Sequence, residues 1–597
     1  MTGDVTLRGA SAGLGHVAAT SMTPEMSAWR FAIILAAVVL LAATVRTVFP
    51  LADPPWYSTV GAVWHDEGAW VHNARNRALT GSWQVDGDQW NPMYITPVLT
   101  GLEYISFRAF GVGLWQARVV SQMMGVLAVL LLGLGVARIG GRLAGLVAAG
   151  LLATNFVSVT YDRAALMEAT MVSLIVASWY CYGRAAESPR WGMAAGFAAI
   201  LAYFTKASAV FFLPALAIDA LLSIVLPRDA GQADRPQVRQ ASRGAWFTLL
   251  GLAVAGVLSL VVFIAPHWQD YRFYNWQISV TRKPAYTLKA LVDRATWFPV
   301  IHDFFTRMWV VTLLAVGSGL GLFFRWRRVA PAERVLLFWV ALGVTELVLH
   351  DVGNERRLVF LVPGLVALAA LAIGRDRRLL DENAARASVL RALAAAPVVF
   401  ACLYLVSGAA VRLRFLAEIH SGVFRPAVRW SAAIAALVGL TAYATWPRLP
   451  SRLSQVRWSA TAGIVALAVL LGADLWQFSR WAAIRTYKNY DAMLAVAQWL
   501  PPGTVVQGKL ANGLALESRI TPWFVGRGFG NYADRTTRRD IRYLLTYVHP
   551  AIGYEGPVIK DILAACPGWK IVREFDVAES PGGRDRAALI DKYPDGK

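Results

Sequence analysis

Two adjacent carboxylates, Asp66 and Glu67, stand in the segment Trp64-His65-Asp66-Glu67-Gly68. Such a pair can supply a general base, a metal ligand, or both. It also suits a solvated acidic turn or a helix cap, and the pair by itself leaves these readings open. His65 is a single imidazole and makes no ligand set, so a divalent metal is neither assigned nor dismissed. Other polar residues stand at the ends of apolar runs. Tyr94 closes Asn91-Pro92-Met93-Tyr94. Asp162, Arg163 and Glu168 fall within Tyr161-Asp162-Arg163-Ala164-Ala165-Leu166-Met167-Glu168. Lys206 follows Tyr203-Phe204-Thr205, and Arg356 with Arg357 follows Asn354-Glu355. Arg163 and Lys206 also fit side chains that snorkel to lipid headgroups, and Arg356-Arg357 beside Glu355 fits a structural ion pair. The sequence carries no phosphate loop, zinc-type spacing or nucleophile elbow. Cys181, Cys402 and Cys566 are too scattered for a disulfide framework.

The elements that must position these residues are membrane helices. Of 597 residues, 56% are hydrophobic and 16% charged, and mean hydropathy is +0.46. A soluble domain carries nearer a quarter charged residues, so lipid is the main solvent for this chain. Runs able to cross a bilayer are 31–49, 117–137, 143–160, 165–183, 191–205, 208–226, 245–266, 308–324, 333–350, 357–374, 389–411, 429–446 and 457–476. The run 191–205 is short. Residues 1–28 read as a disordered cytoplasmic tail, and the first run is too long for a cleaved signal core.

Orientation follows from Lys and Arg in the short loops. With the N-terminus inside, the inner loops hold 20 such residues and the short outer loops 8. An odd number of spans then places the C-terminus outside. Outer loops 50–116 and 267–307 and the tail 477–597 share one face in this reading, around a transmembrane region 29–476. The tail reads as a small α/β domain. A helical run, Tyr490–Leu500, ends at Pro501-Pro502-Gly503, and strand-like segments follow at Thr504–Gln507 and Ile571–Phe575. The net charge of +20 sits largely in the arginine clusters between apolar runs. That pattern argues against a nucleic-acid partner and for anionic headgroups or a lipid phosphate. Trp64, Trp90, Trp115, Trp268 and Trp276 fit an interfacial aromatic belt better than a sugar platform.

In order and topology these motifs resemble the membrane glycosyltransferases of the GT-C fold. The likeness is to the superfamily of protein O-mannosyltransferases and lipid A aminoarabinose transferases (glycosyltransferase family 39 and relatives). It rests on the acidic pair in the first outer loop, the Pro-x-Tyr at Tyr94, the Ala117-Arg118 step into the second span, Arg163 with a following carboxylate, Thr205-Lys206, and Arg356-Arg357. It covers roughly residues 30–375. The thirteen runs and the tail give a mostly α polytopic protein, of GT-C type by this resemblance, with about 13 transmembrane helices and a small extracytoplasmic α/β domain. The resemblance itself implies inverting transfer of a sugar from a polyprenyl-phosphate donor to a glycan, lipid or protein acceptor at the outer face. Asp66 would be the general base, and Glu67 would orient it or bind the acceptor. Lys206, Arg356, Arg357 and Arg163 would hold the donor phosphate. Glu168 or Asp162 would be the second carboxylate, with a metal role or a polar contact both open, and Tyr94 would lie on the juxtamembrane or acceptor side.

Two other functional classes stand beside this one. A lipid or polysaccharide transporter would show paired Gly/Pro-interrupted spans or symmetry between halves, and neither is visible. A non-catalytic envelope-assembly protein would not need Asp66.

Overall fold

The computed structural model describes residues 26–54, 64–225, 236–280, 287, 308–323, 326, 329–349, 355–374, 460–550, 555–579 and 585–594. The expected tail up to residue 25, the spans 389–411 and 429–446, and the second outer loop beyond 280 (apart from 287) lie outside these residues.

The chain is mostly helical. In the first half the helices are α1 (Ala28–Thr47), α2 (Asp66–Trp70), α3 (His72–Thr80), α4 (Pro97–Phe110), α5 (Leu114–Gly140), α6 (Arg142–Thr154), α7 (Phe156–Asp162), α8 (Met167–Gly183), α9 (Pro189–Thr205) and α10 (Phe212–Val225). They continue with α11 (Pro236–Ser259), α12 (Trp268–Asn275), α13 (Trp309–Phe323), α14 (Pro331–Leu349), α15 (Val362–Gly374) and α16 (Ala460–Ala483). Among the described residues, five helical stretches are long and apolar enough to cross a membrane by themselves: Ala28–Thr47, Leu114–Gly140, Ala207–Val225, Gln240–Ile264 and Arg356–Ile373. The protein is therefore a multi-pass membrane protein with at least these spans.

The expected span 143–160 is broken. α6 and α7 meet at 58°, where the Asn155 side chain accepts the Ser158 N–H at 3.0 Å and starts a new helix. An Asn cap satisfies amide groups that have no partner in the preceding turn, so the axis changes direction without loss of backbone pairing. The short run 191–205 is the full helix α9, started by Ser188 and by Pro189 at its first position. α9 packs closely on α11, since a Cβ at Gly196 would lie 2.3 Å from the Leu252 amide nitrogen. Helices in lipid gain from such close backbone approach.

Within 488–594 the described residues form the small α/β unit that the turn signals predict. Its helices are α17 (Lys488–Trp499), α18 (Lys509–Leu514) and α19 (Gly556–Ala564). Its strands are β1 (Val505–Gln507), β2 (Thr521–Trp523), β3 (Tyr543–Tyr547), β4 (Lys570–Asp576) and β5 (Arg586–Asp591), in the order β2-β1-β3-β5-β4. β1 runs parallel to β2 and β3, whereas β5 is antiparallel to both β3 and β4. Strand alternation splits the sheet's apolar residues between its two faces. Leu544 and Ile590 pack with Val558, Ile559 and Ile562 of α19. Their neighbours Leu545 and Leu589 pack with Met493, Val496, Leu510 and Leu514 of α17 and α18.

That second layer extends past the domain. Trp64, Val71, Ala74 and Phe107 from the segment between α1 and α5, and Leu114 at the start of α5, belong to the same buried cluster. Asp53, just past α1, accepts the Lys488 and Asn489 amides at 2.8 and 3.1 Å and thereby caps α17, a favourable place for a carboxylate. Arg75 of α3 is buried and donates to the carbonyls of Ala515, Ser518 and Ile520. The first long loop and the C-terminal sheet therefore share a core at one end of the bundle.

Candidate active site

Asp66 is the first residue of α2, and its carboxylate is 9% exposed. Oδ2 accepts from Arg356 Nη1 at 2.7 Å, and Oδ1 accepts from Lys509 Nζ at 3.2 Å. Arg356 Nε also lies 2.8 Å from Glu168 Oε1 as an ion pair, with its N–H not aligned for a hydrogen bond. Lys206 Nζ donates to the same Glu168 oxygen at 2.7 Å. The five groups make one continuous chain, Lys509–Asp66–Arg356–Glu168–Lys206. Glu168 is wholly buried, and its Oε2 has no hydrogen-bond partner.

Each member stands at or within one turn of the start or end of a regular element. Glu168 lies in the first turn of α8, after extended Leu166. Lys206 is the extended residue between α9 and the 3-10 turn Ala207–Phe211. Arg356 lies in the 3-10 turn Glu355–Leu361 that leads into α15, and partly buried Arg357 follows it. Lys509 opens α18, which brings it over Asp66.

Electrostatics at Asp66 run in two directions. Burial alone would raise its carboxyl, but Lys509 and Arg356 together outweigh burial and hold it well below the usual carboxylate range. Burial, with help from Lys509, lowers the neighbouring His65 imidazole to about 3, so it is neutral at physiological pH. Within this cluster three cations face two carboxylates. As placed, these residues do not fit a divalent cation, which would have to displace Arg356 or the lysines from the oxygens it needs. Among the described residues no group of three His, Cys, Asp or Glu side chains converges as a ligand set.

The structure brings Asp66, Glu168, Lys206 and Arg356 together and sends other candidates elsewhere. Glu67 forms a two-pronged pair with Arg118 at 2.8 and 2.7 Å and accepts the Ala165 amide at 2.9 Å. Arg118 in turn donates to the carbonyls of Pro50 and Ala52. Asp162 pairs with Arg46 at 2.9 Å and accepts from Ser158. Arg163 donates to the carbonyls of Val45, Arg46, Val48 and Phe49 and stacks over Trp481, which makes it a C-terminal cap for α1. Tyr94 ends the 3-10 turn before α4, stacks on Tyr274, and accepts from Gln84 Nε2. Burial and Asp270 push its phenol up to about 12, so it stays a neutral hydroxyl.

The residue that sequence reasoning missed is Lys509. It stands 443 positions from Asp66, in a region where no motif marks it. The only local signal is Gly508, whose φ of +106° turns the chain out of β1 into α18.

Residues 96–229 match the family described as dolichyl-phosphate-mannose-protein mannosyltransferase. The matched stretch contains Glu168 and Lys206 but neither Asp66 nor Arg356. No curated protein matches the sequence. Among solved structures the chain is similar to ArnT from Cupriavidus metallidurans bound to undecaprenyl phosphate, at 17% identity over 95% of this chain and 99% of that one, with a TM-score of 0.48. It is similar to the oligosaccharyltransferase AglB from Archaeoglobus fulgidus in complex with an inhibitory peptide and a dolichol-phosphate, at 13% identity over 93% and 74% of the two chains, with a TM-score of 0.47. It is also similar to the arabinosyltransferase EmbB from Mycobacterium smegmatis, at 15% identity over 84% and 44%, with a TM-score of 0.44.

Proposed function

We propose that this chain is a membrane glycosyltransferase that moves a sugar from a polyprenyl-phosphate-linked donor to an acceptor hydroxyl on the outer side of the membrane, with inversion. The observation that carries the reading is the convergence of Arg356, Lys206 and Lys509 on Asp66 and Glu168. These five side chains come from five separate segments and meet beside the ends of membrane helices. Ionisable groups are costly at that depth, so such a cluster marks a functional site by default. The match of residues 96–229 to a family that uses a dolichyl-phosphate sugar supports the substrate class.

In this reading the donor's phosphate sits against Arg356 and Lys206, with Arg357 beside them. Asp66 accepts the proton of the acceptor hydroxyl as its oxygen attacks the anomeric carbon. The bond from that carbon to the phosphate oxygen breaks on the opposite face, and polyprenyl phosphate leaves with the electron pair. Fixed cations stabilise the charge that develops on the leaving phosphate, so no general acid is needed there. A single base opposite the leaving group is the arrangement that inversion requires.

Glu168 keeps Arg356 and Lys206 in place, and Glu67 fixes the loop bearing Asp66 through Arg118. Residues 29–476 would form the catalytic membrane unit, and 477–597 an extracytoplasmic domain over it. The decisive experiment places the purified protein in liposomes with polyprenyl-phosphate sugars and a panel of glycan, lipid and peptide acceptors. Release of polyprenyl phosphate together with a new glycoside of opposite anomeric configuration supports the proposal. Movement of the intact lipid between leaflets with no bond cleavage would replace it with a transporter.

A further inference from the structure

α18 meets α2 backbone to backbone. A Cβ on Gly68 would lie 1.9 Å from the Asn512 carbonyl oxygen, and a Cβ on Gly513 would lie 2.6 Å from the Cα of His65. Contact this close leaves the first residue of α18 little freedom. The Lys509 amide is itself tied to Glu555 Oε2 at 2.9 Å, and its ammonium reaches Asp66 Oδ1. The Lys509 side chain is 16% exposed, whereas a lysine that only solubilised the domain surface would extend into water. With Arg356 on Oδ2, both carboxylate oxygens are occupied.

We propose that Lys509 is a positioning residue of the reaction, through which the C-terminal domain reaches into the site and aims the Asp66 carboxylate. This inference rests on the proposed function, in which Asp66 is the base. Donor phosphate competes with Asp66 for Arg356, because a guanidinium binds phosphate oxygens as readily as a carboxylate. Donor binding thus frees Oδ2 for the acceptor proton while Lys509 retains Oδ1 and the orientation. The base becomes available only when both the donor and the docked domain are present.

The other charged groups around Asp66 leave this role to Lys509. His65, with Nε2 at 3.9 Å from Asp66, is neutral. Glu67 faces Arg118, and Glu168 lies beyond Arg356. On α3, His72 is turned to Asp88 and Arg75 to backbone carbonyls.

The test compares full-length wild type, Lys509→Gln and Lys509→Arg in liposomes, reading kcat and donor KM for transfer. Loss of aim should lower kcat roughly 10- to 100-fold with little change in donor KM. Lys509→Arg should restore most of the rate. An unchanged kcat in Lys509→Gln overturns the proposal, as does a rate that arginine fails to restore. Hydrogen exchange of residues 64–70 gives a readout that needs no turnover: it should rise in Lys509→Gln and return in Lys509→Arg. If wild type transfers no sugar, the functional reading falls, and the exchange comparison alone then decides whether Lys509 holds Asp66.

Discussion

Arg356 Nη1 lies 2.7 Å from Asp66 Oδ2 although 290 positions separate them. The same guanidinium approaches Glu168, so one arginine joins a loop acid to a membrane-helix acid. Replacing it with Gln leaves two buried carboxylates short of a cation, which costs about 3–5 kcal/mol when a buried pair is broken. The expected outcome for Arg356→Gln is a lower melting temperature in detergent and a strongly raised donor KM. Arg356→Lys should recover stability more than donor use, because an ammonium has no planar fork for the phosphate.

Asp66→Asn should abolish the proton acceptor while keeping the shape of the side chain. Transfer is expected to fall by about 10²–10⁴-fold, the usual contribution of a positioned base. Donor binding, measured with a labelled polyprenyl-phosphate sugar, should be retained. Transfer at close to the normal rate would remove Asp66 from the chemistry.

Arg163 serves as a contrast to Arg356. Its guanidinium is spent on four carbonyls at the end of α1. Arg163→Gln should therefore lower thermal stability with little change in donor KM among the molecules that stay folded. A selective rise in donor KM at unchanged stability would return Arg163 to the phosphate site.

Acid sensitivity should trace in part to His65. Its folded pKa is about 3, against 6.5 for an unperturbed imidazole, so the unfolded chain takes up the proton first as pH falls. Stability linked to this residue is complete above about pH 6.5 and declines as pH drops toward about 3, by roughly 1.4 kcal/mol per unit at most. Melting temperature against pH should therefore fall less steeply over that window in His65→Gln than in wild type.

The docking contact between α2 and α18 can be tested apart from charge. Gly513→Ala inserts a methyl group against the His65 backbone, and the neighbouring atoms there cannot swing away. Faster proteolysis in the C-terminal domain and reduced transfer are expected together, with donor binding to the membrane region preserved. Unchanged protection from protease would mean that the contact is looser than its geometry indicates.

The chain's identity as a multi-pass membrane protein was legible in its sequence, because about 20 consecutive apolar residues have few other places to go. The α/β tail was legible for a similar reason. Pro501-Pro502-Gly503 cannot continue a helix, and the apolar alternation after it has period two. Asp66, Glu168, Lys206 and Arg356 could be picked out in the sequence because the motifs that hold them resemble, in order, those of the GT-C glycosyltransferases. Their types, however, did not reveal which carboxylate each cation would take.

Tertiary structure alone decided that Glu67 is consumed by Arg118, that Asp162 is consumed by Arg46, that Arg163 caps α1, and that Lys509 joins Asp66. The reason is physical. Hydrophobic periodicity is a local property that repeats every few residues, whereas an ion pair depends on three-dimensional distance. Arg46, Arg118, Arg163 and Arg356 are the same residue type beside similar apolar runs. Only the packing of α1, α5, α7 and the turn before α15 determines which of them reaches the carboxylate at the centre of the site.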